Sequence, residues 1–143
     1  MWFRGGISLP WAPFADGEVV TDRVFRVPAQ QLAAAKAAGG SAFAYDFRWT
    51  ATGGPLPGLS FHCLDVPFFF DALAEPGVTE AMGPAPPQEL ATRMHSALVR
   101  FVTGSEPGWD GFSGDRSPVM VFAESSEVRE NPLELERTAW TRR

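Results

Sequence analysis

The chain has 143 residues, 45% hydrophobic and 20% charged, with 12 Lys plus Arg against 17 Asp plus Glu and a net charge of −5. That is the length and composition of one globular domain, and without a basic surplus neither nucleic acid nor an anionic membrane is expected as a partner. One cysteine and two histidines exclude an internal disulfide and disfavour a structural zinc site, so no metal or other cofactor is expected.

The opening Met-Trp-Phe-Arg-Gly-Gly lacks a basic region followed by an apolar run, and no stretch is long and apolar enough to span a membrane. A cytoplasmic location is therefore expected. The 13 Pro and 14 Gly predict much loop and turn, while 12 Phe and 5 Trp are a heavy apolar load that needs large surfaces to bury against.

Residues 1–20 are broken by Gly5, Gly6, Pro10, Pro13 and Gly17 and read as an irregular segment with apolar anchors. Thr21 and Asp22 suit a short turn. Pro28 fits the first position of a helix, the run to Ala38 is rich in strong helix formers, and Gly39-Gly40 suits a left-handed stop, which predicts a helix over 28–38. Phe43, Tyr45, Phe47 and Trp49 alternate with Ala44, Asp46 and Arg48, the period of a strand over 43–49 with one aromatic face. A helix and a strand joined by two glycines make half of an α/β unit.

Beyond a Gly/Pro loop at 53–58, Pro67 suits the start of a short helix running to Ala74, and residues 76–87 read as loop. Leu90, Met94, Ala97, Leu98 and Phe101 recur at three- and four-residue steps and predict a helix over 88–103 ended by Gly104, with Arg93, Ser96 and Arg100 off the apolar stripe. Val119–Phe122 reads as a short strand, Glu127-Val128 as its hairpin partner, and Asn131-Pro132 as the opening of a last short helix carrying Leu135 and Trp140.

The segment His62-Cys63-Leu64-Asp65-Val66-Pro67-Phe68-Phe69-Phe70 resembles the catalytic-histidine segment of the type B carboxylesterases, the α/β-hydrolases that include para-nitrobenzyl esterases and cholinesterases. In that family an acidic residue lies three places after the histidine, followed by an aliphatic-Pro-aromatic run. Four further stretches are similar in the same order. They are Asp22–Pro28 with its alanine-rich helix, the strand Ala44–Trp49, the Phe101–Pro107 element with Trp109 beyond it, and Val119–Phe122 with the terminal Arg137-Thr138-Ala139-Trp140. The resemblance covers roughly residues 21–140. It implies an incomplete α/β-hydrolase over residues 21–143, the C-terminal part of the domain, with few strands and two or three helices. Leu9–Gly17 is similar to a family segment that normally lies far upstream of Asp22, which suggests a deletion with its junction near Val20-Thr21.

The resemblance implies that His62 is the histidine of a Ser-His-acid triad that hydrolyses carboxylic esters. The other two members are not legible. Ester hydrolysis on this fold uses a serine in a Gly-x-Ser-x-Gly turn, and neither Ser41 nor Ser113 has both glycines at the right offsets. No His-Gly-Gly-Gly loop occurs, nor anything resembling the family's acid-bearing loop. The chain is therefore expected to supply the base alone and to be inactive unaided.

Around His62, Asp65 is expected to steady the loop by accepting backbone N–H groups rather than to serve as the triad acid. Cys63 is expected to be a small buried thiol and not a nucleophile, because neighbours in extended backbone point apart. His95 falls at the margin of a helix stripe and is expected to be partly exposed. Phe68-Phe69-Phe70 suits core packing better than an acyl pocket. Two functional readings follow. The chain is either the histidine-bearing part of a carboxylesterase, completed by an N-terminal hydrolase chain, or a non-catalytic remnant that binds a partner, or itself, through the exposed edge and aromatic face of strand 43–49.

Overall fold

The computed structural model describes residues 21–113, 116–132, 134 and 138. The irregular segment 1–20, the Leu9–Gly17 similarity and most of the expected last helix, including Leu135 and Trp140, lie outside the described residues.

A π-helical turn, Asp22–Arg26, runs directly into helix α1, Val27–Ala37. Asp22 and Arg26 pair across it at 2.7 Å, one turn apart. Pro28 sits in the first turn, as expected, but neither Gly39 nor Gly40 takes a positive φ. The helix closes instead through a tight turn in which the Gly39 amide donates to the Lys36 carbonyl. Strand β1, Ala44–Phe47, follows and is shorter than the aromatic alternation predicts.

Helix α2, Val66–Phe69, is a single turn. It stops well short of Ala74 because Asp71 adopts a left-handed conformation, with φ of 52°. Helix α3, Val78–Met82, was not legible in a Gly/Pro-rich stretch. Gly77 and Gly83 bracket it at positive φ, where glycine alone is unstrained. Gly83 also lies so near the 52–53 backbone that a β-carbon there would stand 2.6 Å from the Gly53 nitrogen.

Helix α4, Gln88–Val102, holds to the expected span and is ended by Gly104 at φ of 86°. Leu90, Ala91, Met94 and Ala97 are buried along its stripe, and Arg93, Ser96 and Arg100 are exposed. The far end of the stripe is not covered: Phe101 is 52% exposed. Strands β2, Pro118–Phe122, and β3, Glu127–Glu130, complete a sheet in the order β1-β2-β3. β1 runs parallel to β2, with Ala44 opposite Val119 and Phe47 opposite Phe122, and β3 returns antiparallel.

The core forms where α2 and α4 cover the aromatic face of β1. Phe68 is completely buried, with its ring 5.3 Å from Phe47 and 5.1 Å from Trp49. Tyr45 meets Phe69 edge-on at 4.9 Å, and Trp109 meets Phe122 at 5.9 Å. These edge-to-face contacts are the favoured geometry of aromatic pairs. On the opposite face of β1, Asp46 is buried and pairs with Arg48 at 2.7 Å. Among the described residues no helix is long and apolar enough to cross a membrane.

Candidate active site

His62 lies at the solvent-exposed tip of a turn that delivers the chain from residue 61 into α2. The Leu64 amide donates to the Phe61 carbonyl and closes the turn. Cys63 takes its third position at φ of 65°, left-handed and strained for a residue with a side chain. That backbone explains why Cys63 is exposed rather than buried: the expectation assumed extended chain, and the segment is a turn.

Three side-chain hydrogen bonds fix the platform behind His62. The Tyr45 hydroxyl donates to Asp65 Oδ2 at 2.9 Å. His95 Nδ1 on α4 lies 2.9 Å from the Phe69 carbonyl oxygen, and Gln88 Nε2 donates to Asp71 Oδ1 at 2.6 Å. Strand and long helix thus hold both ends of α2. His95 is half-buried, as its place on the stripe margin suggested, but its ring is engaged with the histidine-bearing segment.

Asp65 has the structural role expected of it through a different bond. It is 5% exposed and makes no side-chain cap on α2. Pro67 has no N–H to offer, and the Phe68 amide is taken by the Asp65 carbonyl, so the carboxylate turns to the Tyr45 phenol. In the sequence Tyr45 stands out as one of four alternating aromatics and as part of the family-like strand Ala44–Trp49, neither of which names a partner for its hydroxyl. The available signal was its hydroxyl, which must find a partner when buried among phenylalanines.

Tyr45 is the chain's one tyrosine, so its ionisation is directly visible. Burial foremost, then the charge and hydrogen bond of Asp65, hold its phenol well above the ordinary 10.0. The folded state keeps a proton that the unfolded chain releases around 10.0, so this stabilisation is complete below that pH and is lost as pH rises above it. In an alkaline titration the phenolate absorbance is expected to appear only together with unfolding by circular dichroism. Tyr45→Phe is expected to cost about 1.5–3 kcal/mol at neutral pH, as a lost bond to a charged group, and to flatten the alkaline loss. Phenolate appearing at its ordinary pH with the fold intact would contradict this.

Phe68 fills the core, Phe69 is half-buried against Tyr45 and Phe122, and Phe70 is 66% exposed. Core packing thus holds for the first of the three and only partly for the second. Beside them an open apolar cleft of about 350 Å³ is lined by Phe43, Tyr45, Asp65, Phe70, Phe101 and Trp109, among others. His62 does not line it. Among the described residues the His62 side chain makes no hydrogen bond, and no group of three or more His, Cys, Asp or Glu is placed to hold a metal ion.

No protein-family model matches the chain. Its fold does match solved esterases. Over 94% of its length it superposes on a PNB esterase with a TM-score of 0.81 at 21% identity. Over the same share it superposes on carboxylesterase EST55 of Geobacillus stearothermophilus with a TM-score of 0.77 at 30% identity. An esterase from Clostridium hathewayi that hydrolyses aliphatic aromatic polyesters matches 77% of the chain with a TM-score of 0.61 at 25% identity. The chain covers 29%, 29% and 22% of these proteins, less than a third of each. Its fold is therefore that of an incomplete α/β-hydrolase, similar to less than a third of the length of type B carboxylesterases such as EST55.

Proposed function

We propose that this chain is the histidine-bearing part of a carboxylic-ester hydrolase, with His62 as general base and the serine nucleophile and triad acid supplied by the remainder of such a domain. The observation that carries the reading is the presentation of His62: exposed, on a strained turn, on a platform tied to β1 and α4, in a chain with an esterase fold. A base so placed takes the serine proton as the oxygen attacks the ester carbonyl, then returns it to the leaving alcohol. That chemistry needs a serine within hydrogen-bond reach and a carboxylate on the other ring nitrogen. Three of the described serines, Ser60, Ser96 and Ser126, donate their hydroxyls to the carbonyls of Phe47, Thr92 and Ala123. On this reading the chain is inactive unaided. Its single cysteine suits a reducing compartment, and the reading places it in the cytoplasm.

The purified chain, given a chromogenic short-chain ester, is expected to show no turnover above the buffer rate. Turnover abolished by His62→Ala would show that this chain holds its own nucleophile. The exposed cleft favours a second reading, a module without catalysis that binds a partner; it predicts that no addition of hydrolase polypeptide restores turnover.

A further inference from the structure

The charged side of α4 borders a second cleft. Arg93 and Arg100 stand exposed on the side of the helix away from its buried stripe. They are seven residues apart, close to two full turns, so they share one face. That face, the Trp109 ring and the β2 side chains Met120 and Phe122 line an open cleft of about 540 Å³. Small-molecule sites commonly have roughly 300–1,000 Å³, an apolar floor and a few polar groups. No residue of β1, of α2 or of the turn at His62 lines this cleft.

The two arginines differ from others in the chain. With 17 Asp plus Glu against 12 Lys plus Arg, acceptors are plentiful, and Arg26, Arg48, Arg116 and Arg129 each pair with a carboxylate. Arg93 makes no hydrogen bond or ion pair among the described residues, although Glu89 stands one turn before it and lines the same cleft. Arg100 Nε donates to the Glu106 carbonyl at 2.9 Å, which pins the arm and leaves its two terminal nitrogens for an acceptor. Ser96 lies between the two, and its hydroxyl donates to the Thr92 carbonyl at 2.7 Å, so recognition of an anion falls to the guanidinium groups. Against the single Glu89, they leave the described lining with one surplus positive charge.

The geometry points to this cleft as a binding site for an apolar monocarboxylate, an alkyl or aryl chain ending in one carboxylate. A guanidinium fork meets a carboxylate with two parallel hydrogen bonds. One surplus positive charge suits one negative charge and disfavours a phosphate dianion, which Glu89 repels. The apolar chain lies on Trp109, Met120 and Phe122, where burial supplies the rest of the affinity. The inference goes beyond the proposed function and does not depend on it, because the histidine segment is not part of this cleft.

The test is calorimetric titration of the full chain with decanoate, below the concentration at which decanoate self-associates. Saturable one-to-one binding is expected, with decanol, which lacks the charge, and decyl phosphate, which adds to it, both weaker. Arg93→Gln and Arg100→Gln are each expected to weaken binding roughly tenfold, the effect of one lost charge-assisted hydrogen bond, without moving the unfolding midpoint, since both side chains are exposed. Glu89→Gln is expected to tighten binding, and Arg129→Gln on β3 to leave it unchanged. No saturable binding, decanol or decyl phosphate bound as tightly as decanoate, or binding indifferent to both arginine substitutions would overturn the inference. Binding lost on Phe101→Asp but kept in the arginine variants would place decanoate in the cleft beside Phe70 and overturn it as well.

Discussion

Phe68→Ala is expected to destabilise the chain by about 3–5 kcal/mol, the usual cost of emptying a buried phenylalanine site. Phe68 is fully buried and packs its ring on both Phe47 and Trp49, so the cavity opens at the junction of β1 and α2. The polar ties from Tyr45 and His95 hold α2 in place and prevent it from collapsing into the gap. Domains of this size have roughly 5–15 kcal/mol of total stability, so the loss consumes a large fraction of it. Phe70→Ala, two residues on at an exposed site, is expected to change stability by no more than about 0.5 kcal/mol. Urea unfolding followed by tryptophan fluorescence measures both. Equal effects at the two positions would mean that α2 is rotated from its described orientation.

His62→Ala is expected to have the opposite profile. The side chain is exposed and makes no hydrogen bond among the described residues, so the unfolding midpoint is expected to stay unchanged. Where activity is reconstituted by adding Geobacillus stearothermophilus EST55 that lacks the portion this chain matches, removing the base is expected to lower kcat by roughly 10⁶-fold with little change in KM, as loss of a triad histidine does when the proton has nowhere else to go. A fall of tenfold or less would mean that another group accepts the proton. The half-buried His95 is the other histidine, and its ring is committed to the Phe69 carbonyl.

The sequence made the long α4 legible because an apolar stripe in a fifteen-residue helix persists over several turns, and β1 because four aromatics alternate without a break. The short helices were harder. α3 has five residues, too few for a stripe, and exists because two left-handed glycines bracket it. α2 was placed by its proline but ends early on Asp71, a conformation that composition does not announce.

At the site, the motif gave His62 and Asp65 their places but not their partners. The Tyr45–Asp65 bond joins residues 20 apart in sequence, and His95 reaches across 26 residues to Phe69. Such contacts depend on how α2 docks between β1 and α4, which local periodicity does not encode. The exposure of Cys63 escaped for a local reason: one left-handed residue turned an assumed extended segment into a loop tip. The aromatic load divides in a way that composition alone does not show. Phe47, Phe68 and Phe122 build the core, while Phe70 and Phe101 remain largely in solvent beside β1.

The claim that this chain holds a base for a nucleophile carried elsewhere is tested most directly by a fluorophosphonate serine probe, with the labelled residue mapped by mass spectrometry. The account predicts no label on the chain alone and, on mixing with EST55 that lacks the portion this chain matches, label on the EST55 polypeptide only. Label on any serine of this chain, lost on His62→Ala, would contradict it.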